Sequence, residues 1–327
     1  MMTHKEIARR FLLAIAARDA VAMHSVLAPE AHLSLVVAGV YSPQLRAFPH
    51  GTHWDRDGMV AREMHFQQQL EGPFELQILS LIGEGDRVAA EVIGKGCRAA
   101  TGRAYVQHFS YHFQIDNGRI TDIRLYEDTY HYCDVWSDLA PGVLPPYLKG
   151  GKLTGSAIDQ TIDPLPDEGA AQDRVAVNKT NVRRFVAAVR DRDWKAVRTV
   201  WSPEAMWSPA VGGDYSPEQR AFEGAPRWDR ETIIGLLQNG NRNPKEPLTL
   251  ELYSLLAEED QVSAEAVGFS IRANGRAYRQ HYSFHFKARN GRLIECHEYQ
   301  DTLHQIDVTL DAPEGGPVVA RTTPISP

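Results

Sequence analysis

Residues 109–129 read FSYHFQIDNGRITDIRLYEDT, and residues 282–302 read YSFHFKARNGRLIECHEYQDT. In each stretch two strand-like runs flank a polar break, Asn117-Gly118 in the first and Asn290-Gly291 in the second. Asn-Gly is the pair favoured in tight hairpins, because both residues tolerate the positive φ such turns require. The same hairpin signature occurs twice, 173 residues apart (109 to 282), and the rest of the chain can be read outward from that fact.

Moving toward the N-terminus, the shift of 173 joins Gly102-Arg103-Ala104-Tyr105 to Gly275-Arg276-Ala277-Tyr278 and Gln107-His108 to Gln280-His281. Before Gly94 and Gly268 it becomes 174. That shift joins Arg10-Phe11 to Arg184-Phe185, Tyr41-Ser42-Pro43 to Tyr215-Ser216-Pro217, and Trp54-Asp55-Arg56 to Trp228-Asp229-Arg230. Self-similarity with one indel over such a length is the mark of a duplicated unit. The copies span residues 1–136 and 174–310. Residues 137–173 between them carry Pro141, Pro145, Pro146, Pro164 and Pro166 and read as a linker, and residues 311–327 read as a flexible tail.

Within copy one, Ile7, Phe11, Ala14 and Ile15 recur at helical spacing, and a second short helix over 21–27 is expected to end before Pro29. A strand over 31–38, a long loop and a helix opened near Asp55 or Asp57 follow. Four strand-like runs come next, over 74–82, 87–99, 103–115 and 119–129. Helices followed by an antiparallel meander predict an α+β fold, with N-terminal helices packed on one face of a curved, mostly antiparallel sheet, in two tandem domains.

With 327 residues, 43% hydrophobic and 24% charged, the chain can bury two ordinary cores. The net charge of −7 is spread without a basic stripe, which argues against nucleic acid as a partner. The segment 1–17 mixes Lys5, Glu6, Arg9 and Arg10 with apolar residues, unlike a secretory signal, and no run is long enough to cross a bilayer. Cys97, Cys133 and Cys296 stand far apart, without a disulfide or thiolate–metal spacing. A cytoplasmic location and no membrane partner are expected.

The helix end Arg192-Asp193-Trp194, the run Trp201 to Ala205 (WSPEA), and the two stretches quoted at the outset resemble the SnoaL-like families of the nuclear transport factor two-like fold. That group includes polyketide cyclases, ketosteroid isomerase, scytalone dehydratase, limonene epoxide hydrolase and cofactorless lyases of aromatic diols. The resemblance covers both copies but neither linker nor tail. It implies a cone in each copy that holds a small organic molecule, a carboxylate inside that cone acting as acid or base, and pairing of copies through the outer sheet face. The resemblance is specific for fold and not for reaction.

Strand alternation gives the run 103–115 one aromatic face (Tyr105, Phe109, Tyr111, Phe113, with Gln107) and one polar face (His108, Ser110, His112). Copy two repeats it with His281, Ser283 and His285. His108 and His112 lie four residues apart, roughly 13 Å on a strand, too far to share a metal ion. They either line the face between the copies or serve the cone, His108 and His281 as proton carriers and His112 and His285 as substrate contacts. On the last strand Tyr126 and Asp128, with Tyr299 and Asp301, are the candidate catalytic groups, since a carboxylate in an apolar hollow gains a pKa suited to proton transfer. The plainer reading has Asp128 and Asp301 capping the strand end with Thr129 and Thr302. The long loop adds Tyr41, Trp54 and Arg56, with Tyr215, Trp228 and Arg230, as candidate substrate-binding groups. Asp55 and Asp229 there also suit a helix N-cap. The copies differ: Glu127 in copy one faces Gln300 in copy two, and Leu125 faces Glu298.

No phosphate loop, dinucleotide fingerprint or metal motif is present, so no cofactor is expected. The expected function is a cofactor-independent acid–base enzyme, a lyase, dehydratase, isomerase or cyclase, acting on a small cyclic or aromatic hydroxylated substrate. The alternatives are a non-catalytic binding or assembly module, in which the copies form an intramolecular pseudo-dimer that can assemble further, and an epoxide hydrolase.

Overall fold

A computed structural model describes residues 2–37, 52–136, 174–209, 227–239, 246–272, 275 and 277–309. The expected linker 137–173, the expected tail 311–327, and Tyr41 and Tyr215 of the expected long loops lie outside the described residues. Both Asn-Gly pairs take the positive φ that their chemistry allows: 49° and 75° at Asn117 and Gly118, 51° and 70° at Asn290 and Gly291.

Copy one runs α1 (His4–Ala16), α2 (Ala20–Val26), β1 (Leu27–Leu35), β2 (His53–Asp55), α3 (Arg56–Gln68), β3 (Glu75–Glu84), β4 (Arg87–Arg98), β5 (Arg103–Asp116), β6 (Arg119–Glu127) and α4 (Thr129–Trp136). Copy two repeats the order as α5 (Arg174–Asp191), α6 (Trp194–Val200), β7 (Trp201–Pro209), β8 (Trp228–Asp229), α7 (Arg230–Asn239), β9 (Glu246–Glu258), β10 (Gln261–Ile271), β11 (Ala277–Arg289), β12 (Arg292–Gln300) and α8 (Thr302–Thr309). Each sheet has six strands, ordered β2-β1-β6-β5-β4-β3 and β8-β7-β12-β11-β10-β9. Only the β1–β6 and β7–β12 pairs are parallel. This is the α+β arrangement that the hairpin and helix patterns imply.

Three local features differ from the sequence-based expectation. The strand expected over 31–38 starts at Leu27, directly after α2, despite Pro29. The run expected to end at residue 129 ends at Glu127, and a helix opens at Thr129. Short strands β2 and β8 also form where a loop was expected.

The amphipathic helices lie on the aromatic face of each sheet. Phe11 of α1 meets Phe113 edge-on with ring centres 6.0 Å apart, and Phe185 of α5 meets Phe286 in the same way at 6.0 Å. These contacts nucleate two separate apolar cores. The opposite, polar faces of β5 and β11 meet each other. Ser110 Oγ lies 2.9 Å from Ser283 Oγ and 2.8 Å from His285 Nε2, while His112 Nε2 lies 2.9 Å from Ser283 Oγ.

The contact between copies is reciprocal, as a two-fold relation requires. Thr129 Oγ1 donates to Asp301 and Thr302 Oγ1 donates to Asp128. Lys5 pairs with Glu258 and Lys179 with Glu84. At the centre sit two fully buried carboxylates. Glu265 accepts two bonds from Arg124 (2.8 and 2.6 Å) and one from Tyr126 (2.8 Å). Glu91 is bonded to His297 Nδ1 (2.7 Å) and accepts from Tyr299 (3.1 Å).

Burial alone would raise both acids, but the Arg124 guanidinium and the Tyr126 hydroxyl bonded to Glu265, and the His297 imidazole bonded to Glu91 and itself raised to about 9 by Glu295 and Glu91, hold them well below the ordinary carboxylate range. A carboxylate lowered on folding adds stability above its unfolded pKa, near 4.5 for these glutamates, and loses it as the pH falls. Arg124→Met leaves Glu265 charged and buried with half its partners, and should cost about 3 kcal/mol in urea unfolding at pH 7. Arg198→Met removes exposed contacts alone, the pair with Glu231 and a 3.5 Å bond to the Trp194 carbonyl, and should not move the curve. Equal effects of the two substitutions would contradict this picture of the interface.

Candidate active site

Which residues of β6 and β12 see the helix-side hollow is decided by one bulge in each hairpin. The β5–β6 register begins Asp116↔Arg119 and Ile115↔Ile120, then slips so that Gln114 faces Asp122, Tyr111 faces Leu125 and Phe109 faces Glu127. In copy two the slip falls between Lys287 and Ala288, setting Phe284 opposite Glu298 and Tyr282 opposite Gln300. Directly opposed residues share a sheet face. Leu125 and Glu127, and Glu298 and Gln300, therefore stand with the aromatic residues, and their sequence neighbours turn toward the other copy.

Copy two contains a cavity of about 330 Å³. Its walls are mostly apolar (Phe185, Trp207, Trp228, Ile233, Leu248 and Leu250 among them), with Leu236 partly exposed at the rim. Its polar groups are few: Glu298, Gln300, Gln305, Tyr278, Tyr282 and Arg272. Glu298 Oε2 accepts a 2.7 Å bond from Trp207 Nε1. Burial lifts the Glu298 carboxyl to about 7, against a smaller opposing effect of that bond. The Tyr278 and Tyr282 hydroxyls lie 2.7 Å apart, so one can donate to the other while the second donates outward. A convergent set of this kind in an apolar hollow is the arrangement expected of a ligand site.

The equivalent space in copy one is filled, down to a void of about 10 Å³, room for no more than one water. Phe66 packs on Phe74 (5.3 Å) and Trp136 (5.1 Å), and Tyr105 packs on Trp136 (5.8 Å). Arg62 pairs with Glu63 and lies 4.9 Å from the Trp54 ring. At the matching positions copy two has Leu236 for Arg62, Leu237 for Glu63, Gly240 for Phe66, Leu248 for Phe74, Gln305 for Tyr132 and Thr309 for Trp136. Copy one keeps a buried carboxyl of its own. Burial raises Glu127 to about 7 despite the nearby Arg62, which is already engaged by Glu63.

The residues selected from sequence fall into three groups. Among the described residues, Trp228 lines the copy-two cavity and Trp54 packs against the copy-one core. Arg56 and Arg230 instead pair with Asp57 and Glu231 beside the helix starts, where Asp55 and Asp229 act as N-caps for Gly58 and Thr232. The expectation that Asp128 and Asp301 point into the hollows is corrected. Both are fully buried between the copies, where each accepts a bond from a backbone amide (His131 and His304) and one from the other copy's threonine.

His108, His112, His281, His285, Tyr126 and Tyr299 take the same outward direction and lie on the face between the copies, the plainer of the two readings of the histidines. Burial lowers His108 and His112 to about 3 and His281 to about 4, so they are neutral there. Glu298, Gln300, Tyr278, Tyr282 and Arg272 were not selected. Their signal was the Leu125/Glu298 and Glu127/Gln300 exchange, read with the aromatic-face parity.

The model of the SnoaL-like domain family matches residues 8–123 and 182–296, once in each copy and over more than half of the chain, and the chain belongs to that family. No match is found among curated proteins. Among solved structures, an NTF2-like protein of unknown function from Burkholderia pseudomallei is 18% identical (41% of this chain, 98% of that one, TM-score 0.35). IdmH from Streptomyces antibioticus, a candidate polyketide cyclase, is 18% identical (40% and 95%, TM-score 0.34). An M. tuberculosis LEH-like epoxide hydrolase is 14% identical (40% and 86%, TM-score 0.32). Each corresponds in extent to a single copy. Among the described residues no helix is long and apolar enough to cross a membrane, and no cluster of three or more His, Cys, Asp or Glu could hold a metal ion.

A carboxyl raised on folding costs stability, and the sign of the pH dependence follows from that. Below its unfolded pKa, near 4.5, Glu298 is protonated in both states and costs nothing. The penalty grows as the pH rises toward 7 and is constant above. Glu298→Gln should therefore stabilise the protein at pH 8 by roughly 3 kcal/mol and leave it nearly unchanged near pH 4, measured by urea unfolding at both values. A destabilised variant at pH 8 would contradict this environment for Glu298.

Proposed function

We propose that copy two is the working half of an acid–base enzyme, a lyase, dehydratase, isomerase or cyclase acting on a small cyclic hydroxylated molecule, with Glu298 as the proton carrier. The observation that carries this reading is the Glu298 carboxyl in the wall of an apolar cavity of about 330 Å³, oriented by Trp207. Near neutrality such a group exchanges protons readily in both directions. As a carboxylate it takes a proton from a C–H beside a carbonyl, or from a hydroxyl. Once protonated, it returns the proton to carbon or to a departing oxygen. The Tyr278–Tyr282 pair supplies a hydroxyl donor for negative charge developing on the substrate oxygen.

The cavity's size lies at the lower end of ligand pockets, which favours one or two fused rings. An epoxide hydrolase with two acids is less well supported, since among the described residues Glu298 is the one carboxylate lining this cavity. Copy one, with its filled hollow, serves as the structural half.

The test is deuterium uptake from D₂O at carbons next to the carbonyl in a panel of one- and two-ring ketones and enones, followed by NMR. The native protein should catalyse exchange for at least some members. kcat/KM should rise with pH to a plateau above about 7, the form in which Glu298 is the base. Glu298→Gln should lower the rate by about 10²-fold or more, whereas Glu127→Gln should leave it nearly unchanged. Undiminished exchange in Glu298→Gln would overturn the assignment.

A further inference from the structure

Arg272 follows the last residue of β10 and lines the copy-two cavity. Its guanidinium lies 3.9 Å from the centre of the Tyr278 ring. Its Nε is buried and has no hydrogen-bond partner, and among the described residues no carboxylate pairs with it.

The matching arginine in copy one shares the unbonded buried Nε, but the rest of its guanidinium is anchored. Arg98, at the matching position, donates from Nη1 to the Val135 carbonyl at 3.1 Å and lies 5.6 Å from the Trp136 ring. Copy two has Thr309 at the position of Trp136. A threonine offers no ring on which a guanidinium can stack.

A guanidinium with an unsatisfied buried N–H is costly unless an anion completes it. Its planar fork matches a carboxylate in two bonds. Glu298 does not fill this role. Its oriented oxygen is bonded to Trp207, and its carboxyl is largely protonated below about pH 7. The remaining walls, with Phe185, Trp207, Trp228 and Leu250, suit the face of a ring.

We infer that Arg272 is the anion-binding residue of the copy-two cavity, and that the substrate is an apolar cyclic molecule bearing a carboxylate. The inference rests on the proposed site but concerns recognition, whereas Glu298 concerns proton transfer, so the two can fail separately.

The test compares 2-naphthoate with its neutral primary amide, 2-naphthamide, by calorimetry and by quenching of tryptophan fluorescence, since Trp207 and Trp228 line the cavity. The native protein should bind the naphthoate at least about tenfold more tightly than the amide. Arg272→Met should abolish that preference and Arg272→Lys should retain part of it. Glu298→Gln should keep the preference while losing deuterium exchange. Equal affinities in the native protein, no binding of naphthoate at millimolar concentration, or an undiminished preference in Arg272→Met would each overturn the inference. The first two outcomes need no variant to fold. Loss of the preference with Glu298-dependent exchange intact would leave the proposed function standing.

Discussion

Every side chain of the central strands faces one of two surroundings, and the structure depends on that alternation. On one face of β5 and β11 an aromatic row meets helices and forms a dry core. On the other face serine, histidine and tyrosine interlock with the second copy around two buried glutamates. A carboxyl on the first face is raised by burial, as at Glu127 and Glu298, whereas one on the second face is lowered because partners meet it, as at Glu91 and Glu265. The chemical meaning of an acid in this fold is therefore set by its parity along the strand more than by its identity.

The duplication supplies an internal control. Both copies bury a carboxyl on the last strand near the hollow, Glu127 in one and Glu298 in the other, two residues apart in register. Around Glu127 the large side chains of Phe66, Trp136 and Tyr132 close the space, and Arg62 reaches it from α3. Around Glu298 the matching positions carry smaller or uncharged residues, and a cavity remains. With packing as dense as a protein interior requires, a few such exchanges suffice to convert a hollow into a core. The reciprocal contacts of Asp128 with Thr302 and Asp301 with Thr129 hold the two halves together, and the wider space lies in copy two.

Much of this was legible in the residues themselves. The repeated Asn-Gly hairpin, the helical spacing of Ile7, Phe11 and Ile15, and the aromatic alternation from Tyr105 to Phe113 lead directly to two α+β units of the SnoaL-like kind. The site was less legible, for a specific reason. A register counted straight from the turn, Asp116↔Arg119, would set Tyr126 opposite Phe109 and so place Tyr126 and Asp128 with the aromatics. The bulge between Gln114 and Ile115 inserts one residue and reverses the parity of everything beyond it. Bulges leave little trace in composition, so Asp128 and Asp301 looked like the inward acids. The filled state of copy one is likewise a sum of volumes over distant positions, visible only once Arg62, Phe66 and Trp136 are known to converge.

The Glu298 carboxyl sits in the wall of a mostly apolar hollow, and everything proposed for copy two depends on that environment. The most direct measurement is a pH titration by NMR of protein labelled with ¹³C at the glutamate side-chain carboxyl, comparing the native chain with Glu298→Gln to assign the resonance. The account predicts a carboxyl signal, absent from the variant, whose midpoint lies near pH 7. A Glu298 midpoint in the ordinary range near 4.5 would mean that water reaches the group freely, and the account would be wrong.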